Sequence, residues 1–124
     1  MREARVTYFT KKEEEFINLL SETGTKKSVA KVLVYLANIP EATSRDIERG
    51  TDLRQPEVCL AMQHLISMGW VKSRENASES RGRPLKIYEM VKPINEIMDY
   101  IEKEKKKEAD KQLNLVNKLR NYIK

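Results

Sequence analysis

The sequence predicts a mostly α, α+β fold: four helices, then a β-hairpin, then one long final helix. Three observations predict it. Residues 43–70, TSRDIERGTDLRQPEVCLAMQHLISMGW, read as two short helices across a tight turn, the second closed by a glycine. Arg81-Gly82-Arg83-Pro84 follows between two alternating stretches that read as strands. From Pro93 to the C-terminus the pattern is helical.

In chain order, residues 1–9 end in the alternating Arg5-Val6-Thr7-Tyr8-Phe9, an extended arm or short strand. Thr10 and Glu13 form a T-x-x-E capping box ahead of Phe16, Ile17, Leu19 and Leu20, which predicts a first helix over 10–22, ended by Gly24. Ser28 or Thr25 caps a second helix over 27–38. Val29, Val32, Leu33 and Leu36 recur there at helical spacing, and Pro40 stops it. Thr43 can cap a short third helix over 44–50, with Gly50 as its end. The fourth begins at Gln55-Pro56, because proline is tolerated in a helix's first turn, and runs to Met68 with Gly69 as the stop. Val58, Met62, Leu65 and Met68 give it one buried stripe. Trp70–Arg74 and Leu85–Val91 alternate as strands on either side of a loop-like 75–84, which makes a hairpin with a long tip.

Composition narrows the class. Within 124 residues, 35% are charged and 6% aromatic, so the core is small and mostly aliphatic. Lys and Arg number 24 against 19 Asp and Glu. Residues 25–92 hold twelve basic and eight acidic side chains, so the excess sits mainly with the paired helices and the hairpin. Such a surplus fits a polyanionic partner. The single cysteine, Cys59, excludes an internal disulfide framework, and with the single histidine, His64, it cannot complete a zinc site. No metal and no cofactor is expected. No apolar run approaches the roughly 20 residues that span a bilayer, and no signal-peptide pattern opens the chain, so a cytoplasmic protein without a membrane partner is expected.

Helices, hairpin and terminal helix in this order form a winged helix-turn-helix with a C-terminal extension. Residues 1–92 are expected to be a DNA-binding domain and 93–124 a dimerisation element. Thr43-Ser44-Arg45-Asp46-Ile47, Asp52-Leu53-Arg54-Gln55-Pro56-Glu57-Val58, Met68-Gly69-Trp70-Val71 and Gly82-Arg83-Pro84 followed by Tyr88 carry a family likeness. In this order and spacing, the stretch 25–92 resembles winged-helix transcriptional regulators of the MarR, ArsR and TrmB type, small archaeal-type members above all. The resemblance implies a homodimer that binds duplex DNA and regulates transcription. The chain departs from the family pattern at Glu48, where a small residue is usual, and at Asp52, where the turn usually has glycine.

The major groove admits one α-helix whose N-terminal side chains reach base edges. With the apolar stripe turned inward, the residues of this helix expected to meet DNA are Arg54, Gln55, Pro56, Glu57, Leu60 and Gln63; Gln63, further along, is expected at phosphate or solvent, and phosphate contact alone is the alternative for Arg54. Arg54 can pair with guanine, Gln55 with adenine, and Glu57 can accept from cytosine or simply serve the helix start; Pro56 or Leu60 can pack on a thymine methyl. Arg81, Gly82 and Arg83 at the hairpin tip suit the negative, narrow minor groove of A·T-rich DNA. Lys26, Lys27, Ser44 and Arg45 are expected phosphate contacts.

In the final helix, Ile94, Ile97, Met98 and Ile101 form one apolar stripe, and Ala109, Leu113, Val116, Leu119 and Ile123 another. A helix of roughly 30 residues is about 45 Å long, too long to bury both stripes on so small a domain. A second copy of the chain is the expected partner, through Ile94, Ile97, Ile101, Leu113, Val116, Leu119 and Ile123; the alternative is a hinge in the charged stretch 102–108 and a helical hairpin.

No Ser-His-Asp set, phosphate-cradling glycine loop, HExxH or CxxC is present, so an enzyme is not expected. The expected function is sequence-specific binding of double-stranded DNA as a homodimer, with the reading helix in the major groove and the arginine-rich hairpin in the minor groove. The alternative is a winged-helix protein-interaction module in a transcription or replication assembly. Nothing in the sequence names a small-molecule effector.

Overall fold

The computed structural model describes residues 9–76 and 85–124. The chain divides into two compact units, Met1–Lys92 and Pro93–Lys124. The first holds α1 (Lys11–Glu22), α2 (Lys27–Asn38), β1 (Glu41–Thr43), α3 (Ser44–Thr51), α4 (Gln55–Ser67), β2 (Val71–Asn76) and β3 (Leu85–Met90). The second is a single helix, α5 (Ile94–Ile123).

The capping box ahead of α1 is formed as its T-x-x-E spacing predicts. Thr10 Oγ1 accepts the Glu13 N–H at 3.1 Å, and Glu13 Oε1 accepts the Thr10 N–H at 2.9 Å. The other carboxylate oxygen of Glu13 accepts from Asn38 Nδ2 at 2.6 Å, tying the start of α1 to the end of α2. One side chain thus serves local and tertiary order together.

α2 is the centre of the core. It packs against α1, α3, α4 and β3, so Ala30, Val34 and Tyr35 are buried along with the predicted Val29, Val32, Leu33 and Leu36. Its start differs from expectation: neither Ser28 nor Thr25 caps it. Lys26 is the N-cap residue, with no side-chain cap bond.

α3 begins with a second reciprocal box, Thr43 Oγ1 and Asp46 Oδ2 each accepting the other residue's N–H at 3.1 Å. Gly50 does not end this helix. It lies buried inside it, close beneath Tyr35 of α2, where a Cβ would meet ring carbon Cδ1 at 2.6 Å. The helix runs on to Thr51, whose buried hydroxyl donates to the Ile47 carbonyl at 2.6 Å. Asp52 makes the turn instead, in the left-handed region at φ 61° and ψ 30°. A short polar side chain is one of the few that tolerates that region, so Asp52 takes the place where a glycine is usual.

α4 starts at Gln55 with Pro56 in its first turn and buries Val58, Ala61, Met62 and Leu65. Met68, the predicted end of the stripe, is the C-cap and only half-buried. Gly69, at φ 78°, turns the chain toward the buried Trp70 and β2.

The hairpin pairs β2 with β3 in antiparallel register, Val71 opposite Met90 and Arg74 opposite Ile87. β1, a strand the sequence does not predict, adds to the other side of β3, giving the order β1-β3-β2. This register sets Glu41 directly opposite Glu89, a like-charge pair that is unfavourable alone. Arg74 of β2 compensates: its Nε donates to Glu89 and its Nη2 to Glu41, each at 2.9 Å. The bond to Glu89 first, and that to Glu41 second, hold the guanidinium pKa above its ordinary value.

In α5, Ile97 is buried and Ile94, Met98 and Ile101 are half-buried. The run that is polar on all faces stays helical with the help of ion pairs one turn apart: Lys106–Glu102 at 3.9 Å, Lys107–Glu104 at 3.6 Å and Lys105–Glu108 at 3.2 Å. Pairs of this kind add only a few tenths of a kcal/mol each, ~0.2–0.5. Every residue from Lys105 onward is exposed, including Leu113, Val116, Leu119 and Ile123. Among the described residues, no helix is long and apolar enough to cross a membrane.

Candidate nucleic-acid interface

Two contacts fix the presentation of α4: α2 packs behind it and α3 precedes it across the Asp52 turn. Since Val58, Ala61, Met62 and Leu65 turn inward, the opposite face must show its other residues to solvent. Arg54, Gln55, Pro56, Glu57, Leu60 and Gln63 are all exposed, as the sequence predicts, with Cys59 and His64 beside them. Pro56, Leu60 and Gln63, at i, i+4 and i+7, form the outermost ridge, diametrically opposite the buried stripe.

The structure separates the roles of these residues. Glu57 Oε1 accepts the backbone N–H of Arg54 at 3.0 Å, so this carboxylate is engaged at the start of the helix. Of the two tasks the sequence allows it, the helix-capping one is formed. Gln63 Nε2 lies 3.8 Å from Cys59 Sγ, a weak contact that leaves most of the amide's bonding capacity free.

The first turn of α2 lies alongside α4. Lys26, Lys27 and Ser28 line one side of an open hollow of about 730 Å³, and Glu57, Leu60 and His64 line the other. The two lysines are exposed, and the first N–H groups of α2 lack a side-chain cap, so this end of the helix attracts anions. The sequence points to Lys26 and Lys27 but gives no sign that they share a hollow with Leu60 and His64, because that proximity comes from helix packing. Ser44 and Arg45 sit in the first turn of α3, Ser44 half-buried and Arg45 exposed.

The hairpin strands lead away from Trp70 and back, and its tip, with Arg81, Gly82, Arg83 and Pro84, lies outside the described residues, as does the N-terminal arm before Phe9. The expected dimerisation residues lie in the other unit. Leu113, Val116, Leu119 and Ile123 are 62%, 46%, 64% and 83% exposed, whereas Ile97 is buried. Leu115 and Tyr122, which the stripe spacing passes over, are exposed as well and widen the apolar face.

No protein-family model matches the chain, and no curated protein matches it either. Several solved structures are similar, among them two with a TM-score above 0.5. A transcriptional regulator homologue from Pyrococcus horikoshii OT3 superposes with a TM-score of 0.54 at 18% identity, over 82% of this chain and 97% of that one. A MarR family regulator from Neisseria meningitidis does so with a TM-score of 0.51 at 15% identity, over 90% of this chain and 89% of that one. At such identities the likeness is one of architecture, and the chain has the winged helix-turn-helix fold of these transcriptional regulators.

Proposed function

We propose that the protein is a sequence-specific, duplex-DNA-binding transcriptional regulator that acts as a homodimer. The observation that carries this is the face of α4 bordered by α2: exposed Arg54, Gln55, Pro56, Leu60 and Gln63 stand beside the uncapped, lysine-bearing start of α2. A groove-reading helix needs base-reading groups and phosphate-holding groups side by side, and this face supplies both.

In this reading α4 enters the major groove while Lys26, Lys27, Ser44 and Arg45 hold phosphates on either side. Arg81, Gly82 and Arg83 reach into the flanking minor groove. α5 pairs two copies, with Leu113, Val116, Leu119 and Ile123 supplying exposed apolar surface and the half-buried Ile94 and Ile101 adding to it; Ile97, expected there from the sequence, is fully buried and offers no surface to a second copy. A two-fold dimer presents two α4 helices to half-sites about one helical turn apart, about 34–36 Å, or a multiple of that, so the operator is a pseudo-palindrome.

Titration against duplex DNA at two salt concentrations tests it. Affinity should fall steeply with salt while a preferred sequence persists. The second reading, a protein-interaction winged helix, draws on the exposure of Leu60 and expects little affinity for any duplex at either salt.

A further inference from the structure

We infer that α4 reads A·T base pairs, with Leu60 packed on thymine C5-methyl groups and Gln55 and Gln63 bonded to adenines. The inference rests on the DNA-binding reading and specifies its target chemistry. Three observations converge on it.

The first is Leu60 itself. α4 buries Val58, Met62 and Leu65 almost completely, yet Leu60 is 62% exposed at the middle of the outermost ridge, between Pro56 and Gln63. An apolar side chain at the centre of a groove-facing ridge has one apolar feature to meet in the major groove, the thymine methyl.

The second is the charge of the helix. From Gln55 to Ser67 it carries no lysine or arginine, and guanine's O6 and N7 are most commonly read by those two residues. Arg54 stands at the N-cap, off the ridge, where it meets a flanking pair or a phosphate. The ridge is therefore poor in groups that select guanine.

The third is the engagement of Glu57. Its Oε1 accepts the Arg54 N–H, so capping competes with acceptance from cytosine N4 by the side chain best suited to it. The glutamine amides remain, and a glutamine pairs in bidentate fashion with adenine N6 and N7. Guanine and cytosine thus have fewer partners along this ridge than adenine and thymine. The source of the apolar contact is the base pair and not a partner protein, because phosphate-holding Lys26 and Lys27 border the same hollow as Leu60.

Selection of bound sequences from a random duplex pool, followed by replacement of thymines with deoxyuridine, tests the assignment. The pool should yield half-sites with A·T pairs at their centre. Removing one methyl buried by Leu60 should weaken wild-type binding about fourfold, the equivalent of about 0.8 kcal/mol at 1.4 kcal/mol per decade. Leu60→Ala should bind the thymine and deoxyuridine duplexes equally, at the weaker affinity. Its melting temperature should match the wild type, since Leu60 is mostly exposed. Selected half-sites centred on G·C, or a deoxyuridine penalty unchanged in Leu60→Ala, would overturn this assignment and leave the regulator reading standing. Absence of duplex binding at either salt would overturn both and assign Leu60 to a protein contact.

Discussion

Glu57 accepts the backbone N–H of Arg54 at 3.0 Å, so an acidic side chain on the exposed face of α4 helps to hold the helix start. Its substitution separates stability from recognition. Glu57→Gln should lower stability by about 0.5–1 kcal/mol, through loss of charge at the positive end of the helix and a weaker capping bond. It should also tighten duplex binding on every sequence alike, because a negative charge leaves a surface proposed to face phosphates. Denaturant unfolding and duplex titration measure the two effects. A change of preferred base at one position would instead give Glu57 a part in base reading.

Gly50 of α3 lies against the ring of Tyr35 of α2, which leaves no room for a Cβ. Gly50→Ala should destabilise the fold by about 1–3 kcal/mol, since the added methyl group must displace a buried ring. Equilibrium denaturation is the check. Unchanged stability would mean that the Tyr35 ring moves aside freely.

The division of labour between helix and hairpin has its own signature. Gln55→Ala should relax preference at one base pair per half-site, removing about 1–3 kcal/mol of discrimination there. Arg83→Ala should weaken binding most on duplexes with A·T-rich flanks, where the minor groove is narrow and most negative. Binding measured across a panel of duplexes distinguishes them, and equal losses on every sequence for both variants would remove the distinction.

The distal half of α5 supports the most direct test of the dimer. Leu113→Glu with Leu119→Glu should convert a dimer to a monomer in sedimentation experiments without changing helix content, because both side chains are exposed. Affinity for a two-half-site operator should then fall to that for a single half-site. A wild-type chain that sediments as a monomer at all concentrations would end the proposal.

Much of this fold was legible because its signals are local. The Thr10–Glu13 box spans one turn and depends on nothing distant, and the Val58, Met62 and Leu65 stripe follows from helical period alone. What escaped depends on packing. β1 is three residues long with only Ala42 buried, and its partners at Ile87–Glu89 lie far along the chain, so no alternation could reveal it. Gly50 carries the usual mark of a helix end, yet its glycine answers the bulk of Tyr35 on another helix, and Asp52 makes the turn. At the candidate interface, the outward set on α4 was readable by subtracting the buried stripe. The capping role of Glu57 was one of two open possibilities until geometry decided it, and the closeness of Lys26 to Leu60 required the α2–α4 packing.

The strand order leaves β2 on the outside of the sheet, with one side bonded to β3. A bare strand margin invites further chains to add to it, and a long hairpin makes that margin longer. Here Lys72, Arg74 and Glu75 all stand exposed along it, and Arg74 is drawn across the sheet by Glu89 and Glu41. Another backbone approaching that side would have to desolvate charges of both signs to bond there. The molecule can therefore hold out an extended ribbon with less risk of being stitched to its neighbours.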